Sequence, residues 1–105
     1  MKAVNHIQLI GHLGQDPIIK NFENGVKVAN FSIATNEKFT NKAGEPVEKT
    51  YWHNVSAWGK LAEIVSQKKK GNKILITGKL TYNDFEKDGQ KIKTAEIIAD
   101  EIYFL

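Results

Sequence analysis

The chain has no cysteine and no arginine, only two prolines and a single methionine. It also lacks any apolar run long enough to cross a membrane. Without cysteine there is no disulfide framework, no thiolate nucleophile and no cysteine-ligated zinc, so an intracellular protein is the natural expectation. The first residues, Met1-Lys2-Ala3-Val4-Asn5-His6, carry no apolar stretch of the kind a secretory leader needs, and a cytoplasmic location is expected. The missing arginine bears on recognition. Arginine's rigid fork reads base edges and grips phosphate in two places, whereas lysine is a mobile point charge. All 15 basic residues here are lysine, against 12 acidic ones, for a net charge of +3. Such a chain can attract a polyanion but is poorly equipped to read its sequence. Genomic bias toward lysine codons would give the same composition.

What is present is a chain of 105 residues, the size of one domain, with many turn signals and long runs of strand-forming residues. Val4 to Leu13 reads as a strand, ended by the turn Gly14-Gln15-Asp16-Pro17, where Gly14 can adopt a positive φ. Ile18 to Phe22 is a short extended piece, and Glu23-Asn24-Gly25 is a hairpin signal. Val26 to Phe39 reads as a long half-buried strand. Thr40 to Lys49 reads as a polar loop with an extended, mobile tip. Thr50 to Leu61 is the next strand. The period then changes. Leu61, Ile64 and Val65 form a helical stripe, predicting a helix over Lys60 to Lys70 with Gly71 as its stop and Lys68, Lys69 and Lys70 at the negative end of its dipole. Ile74 to Tyr82, a turn at Asp88-Gly89, and Lys93 to Leu105 complete the chain.

Five strands with one short helix between the third and fourth predict an all-β fold. The order is that of the five-stranded Greek-key barrel of the OB class, in which strands two and three form the ligand face. The expected core is Phe31, Ile33, Val55, Ala57, Leu61, Ile64, Val65, Ile74, Ile76, Ile97 and Ile102.

The most informative stretch is Thr50 to Leu61. Alternation puts Tyr51, His53, Val55 and Ala57 on one face and Trp52, Asn54, Ser56 and Trp58 on the other. Two tryptophans among polar residues suit neither a core face nor a plain solvent face. They suit a flat, stacking ligand, or burial against a loop or a partner subunit. Base stacking on a ring contributes about 1–3 kcal/mol per base and tolerates any sequence. Phe39 and Phe85 are further candidate platforms. The interleaved lysines could pair with phosphates without reading bases. Phe39 shares parity with Phe31 and Ile33, so it can join Trp52 only through a bulge, strong twist or the strand's end.

Catalytic signals are weak. His6, His12 and His53 lack metal-site spacing. Ser56 sits mid-strand without the glycines of a nucleophile elbow, and no phosphate-loop or dinucleotide fingerprint occurs. Glu45 and Glu48 fall in the loop, where acid–base positioning would be poor. A non-enzyme without cofactor or metal is expected. His53 reads as a packed or interface histidine.

Four ordered blocks carry a resemblance: Leu9-Ile10-Gly11-His12-Leu13-Gly14-Gln15-Asp16-Pro17, Ala29-Asn30-Phe31-Ser32-Ile33-Ala34-Thr35, Trp52-His53-Asn54-Val55, and Trp58-Gly59-Lys60-Leu61-Ala62-Glu63. From about Val4 to Leu105 the chain resembles bacterial single-stranded DNA-binding proteins. The resemblance implies a single OB-fold domain over 1–105 that assembles as a homotetramer and binds single-stranded DNA without sequence preference. It further implies service in replication, recombination and repair, and a nucleoid-associated location. Trp52 matches a base-stacking tryptophan of the family. Trp58 stands at a family phenylalanine, and Phe39 and Phe85 where tryptophans are common. Lys60 and Lys70 match basic positions near the DNA path, Lys20 and Lys69 replace arginines, and Lys49 is a further candidate phosphate contact. His53 matches a histidine of the subunit contact. Family members usually continue into a flexible tail whose acidic tip recruits replication and repair enzymes. This chain stops at Glu101-Ile102-Tyr103-Phe104-Leu105, so that handle is expected to be missing. Alternatives are a primosomal or RNA-binding OB module, and an oligosaccharide-binding or structural one.

Overall fold

Turn chemistry sets the path of the chain. In the computed structural model, which describes residues 3–105, six strands and one helix alternate with tight turns. They are β1 (Ile7–Leu13), β2 (Ile18–Asn21), β3 (Lys27–Thr40), β4 (Pro46–Trp58), α1 (Lys60–Ser66), β5 (Lys73–Lys87) and β6 (Gln90–Phe104). Asp88 and Gly89 both have positive φ, 53° and 77°, and join β5 to β6 in a two-residue hairpin turn whose twist matches the flanking strands.

The expected loop over Thr40 to Lys49 is largely strand. Lys38, Phe39 and Thr40 pair with Glu48, Val47 and Pro46, so the turn shrinks to Asn41–Glu45. The cause is Asn41. Its Oδ1 accepts from the backbone N–H of Ala43 and Glu45 at 3.0 and 2.9 Å, while Gly44 supplies a positive φ of 80°. Pro46 sits at the first residue of its strand, where a missing donor costs little.

β1 and β2 lie along the same edge of β3: Leu13 opposes Ile33, and Ile18 opposes Asn30. They are one strand interrupted at Gly14–Pro17, which reconciles six segments with the expected five. β1 also pairs with β5, β5 with β6, and β6 with β4 in parallel through Val55↔Ile97 and Ser56↔Ile98. With β4 on β3, the sheet closes on itself as a five-stranded mixed barrel, the OB-fold. The helix follows the third strand of that count, as expected.

Closure buries Leu13, Phe31, Ile33, Val55, Ala57, Ile74, Ile76, Ile97 and Ala99, with Ala62 and Val65 of α1 beneath them. Ile97 and Ile102 were both expected inside, although five residues apart they would face opposite ways on a straight strand. A register shift between Thr77 and Gly78 leaves Asp100 unpaired and returns Ile102 and Phe104 to the barrel side. Thr77 Oγ1 donates to the Asp100 carboxylate at 2.6 Å across this bulge.

Three expectations about the helix fail. It ends at Ser66, because the next backbone is held by β1: Gly71 N–H donates to the Leu13 carbonyl, Leu13 N–H to that of Asn72, and Lys70 N–H to Asp16 Oδ1. Lys68, Lys69 and Lys70 therefore lie beyond the helix and do not cap its dipole. Instead the Lys68 ammonium sits 4.4 Å from the Phe104 ring centre, tying this loop to the end of β6. A seven-residue helix buries a narrow stripe, Ala62 and Val65, which leaves Ile64 38% exposed rather than in the core.

Beyond the barrel, Asn36–Thr40 with Pro46–Thr50, and Tyr82–Lys87 with Gln90 and Lys91, form two solvent-exposed ribbons. They raise the radius of gyration to 16.1 Å, against about 13 Å for a compact chain of this length.

Candidate nucleic-acid interface

The candidate surface is built on β4. Val55 and Ala57 point into the barrel, and Trp52, Asn54 and Trp58 face out. Ser56 was expected on this open face with them. It is buried instead, because the register sets it between Asn30 of β3 and Ile98 of β6, and its hydroxyl has no partner among the described residues.

Trp52 is 63% exposed, yet it is not loose. A side chain added at Gly14 would collide with ring carbons Cζ3 and Cε3 of Trp52 and with Ser32 Oγ. The indole thus rests on the glycine of the β1–β2 turn and leaves the rest of its surface to solvent. Gly14 can adopt a positive φ but does not use that freedom, which is used at Gly25, Gly44, Gly59, Gly71 and Gly89. Its role is room for Trp52. Gly14→Ala should shift Trp52 off its seat and change the tryptophan emission, at a stability cost of about 1 kcal/mol. An unaltered emission spectrum would contradict this seating.

Six residues along β4, roughly 20 Å away, Trp58 is 47% exposed and stacks on Phe22. The ring centres are 6.0 Å apart and the planes differ by 6°. Phe22 was read only as the end of an extended piece. The signal available was its parity with Lys20, but its partner is set by the β2–β3–β4 register, in which Lys20, Val28 and Trp58 form one row. Lys20 is exposed in that row, and Lys60 follows Trp58 at the start of α1.

Between the two ribbons lies a cleft, because β4 and β6 pair at only two positions before diverging. Two recesses of about 300 and 340 Å³ open there, one lined by Gln15, Asn30, Ser32, Asn54, Thr94 and Glu96, the other by Trp52, Leu80 and Ala95 among others. The floor is rich in amides and hydroxyls. Its one carboxylate, Glu96, accepts from Asn83 Nδ2 at 2.6 Å.

The remaining candidates separate. Phe85 pairs with Ile92 on the ribbon face that continues through Asn83 and Thr94 toward the cleft. Lys69 and Lys70 lie at the β1–β2 turn that carries Gly14 and Gln15, since their backbone N–H groups donate to Asn72 Oδ1 and Asp16 Oδ1. Phe39 and Lys49 do not join Trp52. The β3–β4 register runs unbroken from Val28↔Trp58 to Thr40↔Pro46, so no bulge reverses parity. Phe39 lies on the other ribbon face with Val47 and Tyr51, and the Lys49 ammonium sits 5.0 Å from the Tyr51 ring centre. His53, half-buried below them, has Nε2 2.9 Å from Thr35 Oγ1. Among the described residues the one ion pair, Lys27–Glu63 at 3.5 Å, involves none of the candidate lysines. No group of three or more acidic, histidine or cysteine side chains could hold a metal there, and no helix is long and apolar enough to cross a membrane.

An OB barrel carrying exposed aromatics along its third strand, a polar cleft and unpaired lysines belongs to the class of ligand-binding OB modules. Comparison with known proteins narrows the class. The model of the single-strand binding protein family matches residues 4–105. The chain is 40% identical over 107 residues to single-stranded DNA-binding protein 1 of Chlorobaculum tepidum, covering 99% of this chain and 66% of that one. It is 39% identical over 105 residues to the single-stranded DNA-binding protein of Neisseria meningitidis serogroup B, covering 98% and 60%. Among solved structures, a Plasmodium falciparum SSB in complex with ssDNA superposes with a TM-score of 0.92 at 32% identity, covering all of this chain and 97% of that one. A deletion mutant of the single-stranded DNA-binding protein from Thermus aquaticus superposes at 0.84 with 30% identity, over 97% of this chain and 50% of that one. The chain belongs to the single-strand binding protein family, whose members are non-enzymatic binding proteins. It spans roughly three-fifths to two-thirds of the length of these bacterial relatives.

Proposed function

We propose that this chain binds single-stranded DNA without sequence preference, shielding it during replication, recombination and repair at the bacterial nucleoid. The observation that carries the reading is Trp52: a large ring, mostly exposed, yet seated on Gly14 beside a polar cleft. A ring held open in advance loses little freedom when a base stacks on it, and every base offers a π-face. Trp58 continues this surface along β4. Phe85 flanks the cleft from the opposite ribbon. Lys20 and Lys60 beside Trp58, and Lys69 and Lys70 beside the β1–β2 turn, serve as phosphate contacts, and a strand that wraps round the β3–β4 ribbon reaches Phe39 and Lys49 on its far side. Lysine alone, without arginine, suits backbone contact over base readout.

Salt dependence tests the electrostatic half. Log affinity should fall linearly with log salt, and Lys60→Ala should flatten the slope by about 0.7, the value of one single-strand phosphate contact. An unchanged slope removes Lys60 from the path.

Assembly as a homotetramer is part of the proposal. Ile7 to Gly11 of β1 leave one backbone edge without a partner strand, since β3 pairs only with His12 and Leu13. An open edge of this kind is a template for a second copy. The adjacent sheet exterior carries the cross-strand row Ile10, Leu75 and Tyr103, with Ile10 and Tyr103 each about half exposed. The Tyr103 hydroxyl donates to Glu101 at 2.8 Å, and that hydrogen bond and the carboxylate charge raise its pKa above the ordinary tyrosine value. His53 is the proposed histidine of the subunit contact. A solution mass of four chains is expected; a monomer would contradict it.

A further inference from the structure

We propose that Phe22 and Trp58 together form a second base-stacking platform, further along β4 from that of Trp52, on which two neighbouring bases of the bound strand lie. The inference rests on the single-stranded DNA reading above. The two rings are parallel within 6° and their centres lie 6.0 Å apart, within the range of offset stacking and short of the gap a base would need to slip between them. They therefore act as one extended surface. Each ring is nearly half exposed.

The rings wall a shallow recess completed by Glu23, Asn24 and Val26. Its surface is mainly apolar, unlike the amide-rich cleft below Trp52, so it suits the face of a base better than a sugar or a phosphate. The Asn24 side-chain Oδ1 accepts from the Val26 N–H at 3.2 Å, which leaves the side-chain NH2 free to donate to a base edge. Charge favours the same occupant. Lys20 lies in the Trp58 row and Lys60 follows two residues on, both without an acidic partner among the described residues. Glu23 is the one carboxylate in the recess and would repel a phosphate there, so the backbone must pass on the lysine side with the bases turned toward the rings. The hairpin holds Phe22 firmly. Its N–H donates to the Val26 carbonyl at 2.8 Å, and its own carbonyl accepts from Gly25 N–H at 2.9 Å. Trp58 faces the same side of β4 as Trp52 and Asn54, so the platform continues the first site.

Two variants test this. Phe22→Leu keeps an apolar side chain but removes the ring, and should weaken binding to oligo-dT and to mixed-sequence strands alike by about fivefold or more. Phe22→Trp is made in a chain that also carries Trp52→Phe and Trp58→Phe, so that the indole introduced at position 22 is the sole tryptophan. Its emission should be quenched on adding oligo-dT. A control chain with Trp58→Phe alone reports on Trp52. Quenching in the control with none at position 22, and unchanged affinity of Phe22→Leu, would overturn the second platform and leave the main reading standing. No quenching in either chain, and no binding by the unmodified protein, would overturn both.

Discussion

Replacing Trp52 with alanine is expected to weaken single-stranded DNA binding by about 1–3 kcal/mol, which is roughly 5- to 150-fold, and by the same factor for every sequence. The size follows from the ring's situation. It is already desolvated where it rests on Gly14, and its remaining surface is free for a base. Because a stacked base is held by its face, thymine-rich, cytosine-rich and mixed strands should lose equally. Thermal stability should change little, since most of the side chain lies outside the core. Filter binding or anisotropy on three sequences measures it. A loss confined to one sequence would mean that Trp52 reads a base edge, and an unchanged affinity would remove it from the site.

Ile33→Ala should have the largest effect on folding, a loss of about 2–5 kcal/mol from a total that for domains of this kind is about 5–15 kcal/mol. Ile33 is fully buried, opposite Leu13 on one side and His53 on the other, where β1, β3 and β4 come together. Its Cγ2 also packs against Gly11, at the place where β1 crosses close to β3. Removing three carbons there leaves a cavity lined by three strands that cannot close in without opening the barrel. Urea unfolding with unchanged slope and a lower midpoint is the expected result. A loss below about 1 kcal/mol would show that the barrel is not closed at this crossing.

How much of this was legible depended on how local each cause is. Asp88-Gly89 named its own turn, and the barrel order followed from strand lengths and one helix. The face of Trp52 and Trp58 was legible because period-2 alternation needs no partner. What failed was set by distant residues. The helix stops at Ser66 because Leu13 and Asp16, more than fifty positions away, hold the following backbone. Ser56 is buried by strands on both sides of it, and Ile102 faces inward only through the bulge at Asp100. Gly14 looked like a turn glycine, and its need is the Trp52 ring from another strand. The Thr40–Lys49 stretch was misread for a local reason, since the two backbone contacts of Asn41 close the turn early. Phe22 was missed because no pattern within its own strand pairs it with Trp58.

The exposed tryptophans on β4 are the proposed stacking platforms for single-stranded DNA. Titration of the chain with oligo-dT at low salt, following tryptophan emission, tests this role most directly. Strong quenching that saturates, and that recurs with strands of other sequence, is the predicted result. Emission that stays unchanged through the titration would contradict it.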